Sequence, residues 1–128
     1  AINTADYSQA TKGIIANLDR GIVLIPIYET LKKPKIMPLG DSITAGKHAV
    51  DPNPGAYRIQ LWENFSADGL TIDFVGSGSN GPDRLGDKDH EGHPGWTIGQ
   101  ITDLVDSGLL KTYRPDIVLL AIGTNDTG

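Results

Sequence analysis

Apolar and polar positions divide the chain into a short leading stretch and a longer one with a different rhythm. In the first stretch, Gly13-Ile14-Ile15-Ala16-Asn17-Leu18 alternates in part, Asp19-Arg20-Gly21 has the make-up of a turn, and residues 22–27 are apolar. This is the pattern of a β-hairpin with a glycine-bearing turn. Pro26 confines its second strand to an edge or shortens it. Leu31-Lys32-Lys33-Pro34 reads as a linker. The apolar run at residues 36–39 then has the size of a buried strand. Residues 43–55, rich in Gly, Pro, Asn and Asp, predict a loop. A helix is expected over 56–67, where Tyr57, Leu61 and Phe65 recur on one face, with Gly69 as its stop. Residues 71–75 predict a second short strand, and 76–96 a long loop. Thr97 and Gln100 form a capping box, and Ile98, Ile101, Leu104 and Val105 follow at helical spacing, ending near Gly108. The run at 117–122 is apolar on both faces, as a central parallel strand is.

Helices alternating with short apolar strands imply right-handed crossovers and a parallel sheet, so the fold class is α/β. Two distant segments then meet at one end of that sheet. Gly40-Asp41-Ser42 follows the first core strand, and Gly123-Thr124-Asn125-Asp126 follows the last. Open α/β sheets bind ligands at the carboxyl ends of their strands. The expected organisation is a β-rich flanking segment and linker over 1–33, with the sheet-bearing domain over 34–128.

Composition narrows the partners. The chain has 128 residues, 16 of them Gly, and a net charge of −5. An acidic surface argues against nucleic acid and anionic membrane as partners and suits a neutral substrate. There is no Cys, which excludes disulfides and Cys-ligated metals. No apolar run approaches the ~18 residues of a membrane span. The chain begins at Ala1 without Met and without a signal-peptide pattern, which suggests a processed product or a piece of a longer protein.

Several motifs invite chemistry and fail on inspection. Gly76-Ser77-Gly78-Ser79-Asn80-Gly81 matches a dinucleotide fingerprint in spacing, but Pro82-Asp83-Arg84 follows where a helix must begin. Asp87-Lys88-Asp89-His90-Glu91-Gly92 imitates the start of a calcium loop, yet position twelve is Ile98 rather than the required Glu. His90 and His93 would need a third ligand to hold zinc. No metal and no cofactor is expected.

Ser42 is different because of its company. Acyl transfer needs a nucleophile and donors aimed at the developing oxyanion. Ser42 can supply the first. Gly95, just before the capped helix, can supply a backbone N–H, and Asn125 a carboxamide. Gly40-Asp41-Ser42, Gly95 within His93-Pro94-Gly95-Trp96-Thr97, and Gly123-Thr124-Asn125-Asp126 resemble the first three sequence blocks of the SGNH (GDSL-type) hydrolases, in the family's order. Ile72-Asp73-Phe74-Val75-Gly76, the stretch from Asp87 to Ile98, and Tyr57-Arg58 resemble carbohydrate esterase family three, whose members include acetyl xylan esterases.

That resemblance covers about residues 35–128. It implies a three-layer fold of the SGNH hydrolase or flavodoxin-like type, present only in part, since the family sheet has about five parallel strands and three core strands are visible here. It implies Ser42 as nucleophile, with Ser42, Gly95 and Asn125 forming the oxyanion hole and Gly40, Asp41 and Gly123 in support. The expected activity is a secreted ester hydrolase removing O-acetyl groups from a polysaccharide such as xylan. The family's Asp-x-x-His block is missing, and His48, His90 and His93 all precede Asn125. The chain is therefore expected to be the N-terminal portion of an enzyme and inactive by itself. Two alternatives stand beside this one. One is a non-catalytic fragment or carbohydrate-binding relic of the fold. The other is a lipase or thioesterase of the same superfamily, against which the polar loop at 76–96 weighs.

Overall fold

A computed structural model describes residues 16–18, 21–23, 32–47 and 54–127. The rest of the expected hairpin pattern, with Pro26, and most of the loop around His48 lie outside the described residues. The chain forms two compact units, Ala1–Lys33 and Pro34–Gly128. In the first, β1 (Ala16–Leu18) pairs antiparallel with β2 (Gly21–Val23), Leu18 opposite Gly21.

The second unit is built on β3 (Lys35–Gly40), whose residues 36–40 are all buried. Alternate side chains of this strand serve opposite faces, as pleating requires. Ile36 joins Ile72, Phe74 and Leu85 in one core cluster, against which Ile59, Leu61, Trp62 and Phe65 of α2 (Tyr57–Ala67) pack. Met37 and Leu39 join Ile101 and Leu109 in the other. That face is covered by α3 (Ile98–Asp106) and α4 (Leu109–Tyr113). The result is three layers, helix on sheet on helices, as the sequence predicts.

The sheet is mainly parallel. One edge of β3 pairs with β7 (Ile117–Ala121) from Ile36↔Ile117 to Gly40↔Ala121. The other edge has two partners in turn. Lys35 and Ile36 pair with β4 (Asp73–Phe74), then Leu39 and Gly40 pair with β6 (Asp89–Gly92). Pro38 sits at this changeover. The carbonyls of Ile36 and Gly40 accept from Val75 N–H and His93 N–H on that edge, at 3.0 and 2.8 Å. Backbone groups alternate between the two edges, so Pro38 faces the same way, between β4 and β6. Its missing N–H removes no ladder bond there, and a proline is tolerated inside a central strand.

Two expectations need correction. Residues 76–96 are not one loop. β5 (Gly78–Ser79) and β6 form an antiparallel ladder within it, and β6 joins the main sheet. Asp89-His90-Glu91-Gly92 carries no apolar run, so its strand comes from pairing rather than from propensity. The predicted loop at 43–55 begins as a helical turn, α1 (Ser42–Ala45). The helix from Ile98 ends beside Gly108 as expected; Gly108 takes φ 109° and the chain turns directly into α4. β7, apolar on both faces, is an edge here, as expected of a sheet present only in part: among the described residues it pairs with β3 alone, and Ile117, Val118 and Leu120 are exposed.

The helix at 57–67 begins and ends as its sequence suggests. Gly69 N–H donates to Ser66 O and Leu70 N–H to Phe65 O, the paired bonds of a Schellman stop. Leu61 and Phe65 of the predicted face pack against the core, and the fully buried side chain of this helix is Arg58.

Candidate active site

The end of β3 and the start of α1 form one tight corner. A Cβ on Gly40 would lie 2.1 Å from the carbonyl oxygen of Ala121, so β7 can close on β3 here only because residue 40 has no side chain. Asp41 is buried and N-caps α1, its Oδ1 accepting the Ile43 N–H at 2.9 Å. Its Oδ2 is buried without a partner among the described residues. Ser42 is half-buried at the first helical position. A first-turn N–H has no acceptor inside its own helix, and that of Ser42 donates to no group among the described residues.

The other two predicted segments are tied to this corner by hydrogen bonds. His93 N–H donates to Gly40 O at 2.8 Å, and Trp96 N–H closes the 93–96 turn on His93 O at 3.1 Å. Gly95 lies in that turn at φ 84°, a left-handed conformation that favours glycine. Its N–H donates to nothing among the described residues. Beyond β7, residues Thr124–Asp126 form a 3₁₀ turn. Asn125 Nδ2 donates to Trp96 O at 2.8 Å. Both oxygens of Asp126 accept from Ile98 N–H, at 3.1 and 3.0 Å. The capping box of α3 is formed, with Gln100 Oε1 accepting the Thr97 N–H at 2.9 Å. The segments carrying Ser42, Gly95 and Asn125 therefore gather at the carboxyl end of the sheet. Two backbone N–H groups there have no acceptor among the described residues, and one Asn125 amide hydrogen beyond the Trp96 bond is left to donate.

In the sequence, the most consequential side chain behind the site, Arg58, stands out only as part of the family resemblance, without a role. Arg58 is fully buried and reaches back to α1. Its Nε donates to Thr44 O at 2.9 Å and its Nη2 to Ala45 O at 3.1 Å. Its Nη1 holds Asn80 O and Lys88 O at 3.2 and 3.1 Å, and Nη2 also bonds Asn80 Oδ1. One guanidinium thus fastens the last carbonyls of α1 to both sides of the β5–β6 ladder. Burial lowers its pKa from the ordinary value, with the charge of Asp87 acting the other way. The available signal was a lone cation among the apolar positions of α2. Beside it, Tyr57 Oη and Thr44 Oγ1 lie 3.2 Å apart, and burial raises the Tyr57 pKa.

The loop acids and histidines are structural partners. Asp87 accepts Phe74 N–H at 2.9 Å and Asp89 N–H at 3.2 Å, and burial raises its pKa. Glu91 is 2% exposed and takes Ser77 N–H, Ser77 Oγ–H and His93 Nε2 at 2.7, 2.8 and 2.6 Å. The His93 ring stacks on Trp96 with centroids 3.9 Å apart. His90 Nδ1 accepts Gly92 N–H at 2.9 Å. Burial, followed by the charge of Arg58, lowers its pKa to about 4, so its ring is neutral near pH 7. Among the described residues no group of three or more His, Asp or Glu could hold a metal ion.

Comparison with known proteins decides the kinship. A solved Clostridium thermocellum family 3 carbohydrate esterase superposes with a TM-score of 0.67 and 50% identity over 73% of this chain. This chain is a relative of carbohydrate esterase family 3. A second solved family 3 carbohydrate esterase, from Talaromyces cellulolyticus, gives a TM-score of 0.61 at 36% identity over 74% of the chain. An acetyl esterase solved as a mutant with an acetate ion gives 0.61 at 35%. A multidomain esterase of Ruminococcus flavefaciens is 39% identical over 113 residues, 72% of this chain. No family model matches the sequence. The family 3 relative described here spans 45% of each of these solved chains and 14% of the multidomain esterase.

Proposed function

We propose that residues 34–128 are the N-terminal portion of a serine ester hydrolase domain that removes O-acetyl groups from a polysaccharide such as xylan. The observation that carries this reading is the hydrogen-bonded gathering of three segments at the carboxyl end of the sheet. Ser42 stands there beside unengaged N–H donors. Kinship with carbohydrate esterases supports the ester and the saccharide. With it goes an extracellular setting, and no described helix is long and apolar enough to cross a membrane.

In this reading Ser42 Oγ attacks the ester carbonyl as its proton passes to a base. The carbonyl oxygen becomes an oxyanion held by Ser42 N–H, Gly95 N–H and Asn125 Nδ2. Collapse expels the sugar hydroxyl and leaves Ser42 acylated; water then releases the acid. The base belongs to a later segment of the parent domain. Two observations support this: the chain spans less than half of its solved relatives, and both described imidazoles already have partners, His93 on Glu91 and His90 on Gly92 N–H.

In the full-length protein, Ser42→Ala should lower acetate release from acetylated polysaccharide by at least about 10³-fold. Asn125→Ala should cost about 10²–10³ in kcat, the scale of one oxyanion donor. Undiminished turnover in Ser42→Ala would overturn the assignment. Both variants are read against the unchanged protein in the same assay.

A further inference from the structure

A pocket of about 310 Å³ opens beside α1 and is not part of the Ser42–Gly95–Asn125 cluster. Ala45, Lys47, Ser79, Asn80, His90 and His93 contribute to its wall. Ala45 is three residues along α1 from Ser42, about 4.5 Å at the helical rise. The pocket is therefore an immediate neighbour of the nucleophile and could receive the next unit of a bound polymer.

Its lining has an unusual balance for this protein. The chain carries 16 acidic against 11 basic residues, yet among the described residues no Asp or Glu lines the pocket. Its polar groups are left mainly as donors. His90 Nδ1 already accepts Gly92 N–H, so the neutral ring carries its proton on Nε2. The Asn80 oxygen is held by Arg58, which leaves its NH₂. Lys47 adds an ammonium. The nearby acid, Glu91, is turned to Ser77 and His93. The charges near His90 agree: Arg58 and Lys47 act on it as cations, and Glu91 opposes them.

We propose that this pocket is a subsite for a carboxylate-bearing saccharide unit, a uronic acid of the polymer whose ester Ser42 attacks. The saccharide part rests on the esterase reading above; the carboxylate part rests on the pocket's own donors. Three ligands test it by calorimetric titration of the chain: an oligosaccharide with one hexuronic acid, a neutral oligosaccharide of equal length, and acetate. The uronic ligand should bind about tenfold more tightly than the neutral one, the scale of one charge-assisted hydrogen bond. Added salt should shrink that ratio. Lys47→Gln and, separately, Ser79→Asp should each bring it close to one; both positions are exposed, so the fold tolerates the changes. Equal affinity for the two saccharides, a ratio untouched by both variants, or acetate binding as tightly as the uronic ligand would each overturn the subsite. Ser42→Ala should leave the ratio unchanged. In the full-length protein, hydrolysis retained by Ser42→Ala while the uronic preference stands counts against the esterase reading alone, and equal affinities in a parent whose hydrolysis Ser42→Ala abolishes count against the subsite alone.

Discussion

β3 and β7 lie side by side in parallel register, and hydrophobicity alone ranks them the wrong way round. Ile117-Val118-Leu119-Leu120-Ala121 is an unbroken apolar run, whereas Lys35-Ile36-Met37-Pro38-Leu39-Gly40 contains a charge, a proline and a glycine. Yet β3 is buried from Ile36 to Gly40, while Leu120 of β7 is 59% exposed. Hydrophobicity says what a strand can bury; neighbours on its edges and faces decide what it does bury. β3 has β7 on one edge and β4 then β6 on the other, with helices on both faces. β7 has one paired edge among the described residues, and a bare apolar edge is a template for association.

The corners that follow the two strands differ in the same way. After β3, α1 is held from behind by a buried guanidinium; after β7, the Thr124–Asp126 turn is held by exposed Asn125 and Asp126. Arg58→Met should therefore have the largest effect on stability, about 3–5 kcal/mol by urea unfolding, because it strands several buried carbonyls. A loss below about 1 kcal/mol would show that α1 does not depend on it. Within the strands, Met37→Ala should cost about 2–4 kcal/mol. Leu120→Ala should stay within about 0.5 kcal/mol, as exposed substitutions do. Equal costs would erase the distinction between them. Leu120→Lys should shift the chain toward the monomer in size-exclusion chromatography, since a charge blunts an open edge. An elution volume unchanged from a self-associated parent would place the contact elsewhere.

The smallest effect concerns pH. His90, on the strand that covers the end of β3, has a folded pKa near 4 against an ordinary 6.5. The unfolded chain takes up that proton first. This contribution is therefore complete above pH 6.5 and is lost as pH falls toward about 4. His90→Gln should flatten the decline of the urea midpoint between pH 7 and 5, and an identical slope in both proteins would assign it to other groups.

What could be read in the sequence was local. The strand at 36–39 shows in the length of its apolar run, and the capping box at Thr97 and the glycine stop after 57–67 depend on residues a few positions apart, whose backbone bonds are closed by their own neighbours. The parallel three-layer class also followed from the order of such pieces. The path of β6 through Asp89-His90-Glu91-Gly92, the tolerance of Pro38 and the reach of Arg58 to Thr44 and Ala45 were decided only in three dimensions. Each depends on a partner distant in sequence, and neither a period nor a propensity carries that partner's identity. Ser42 shows both halves: its own tripeptide suggested a corner, and only the pairing of β3 with β7 and the bonds from His93 and Asn125 determine what stands around it.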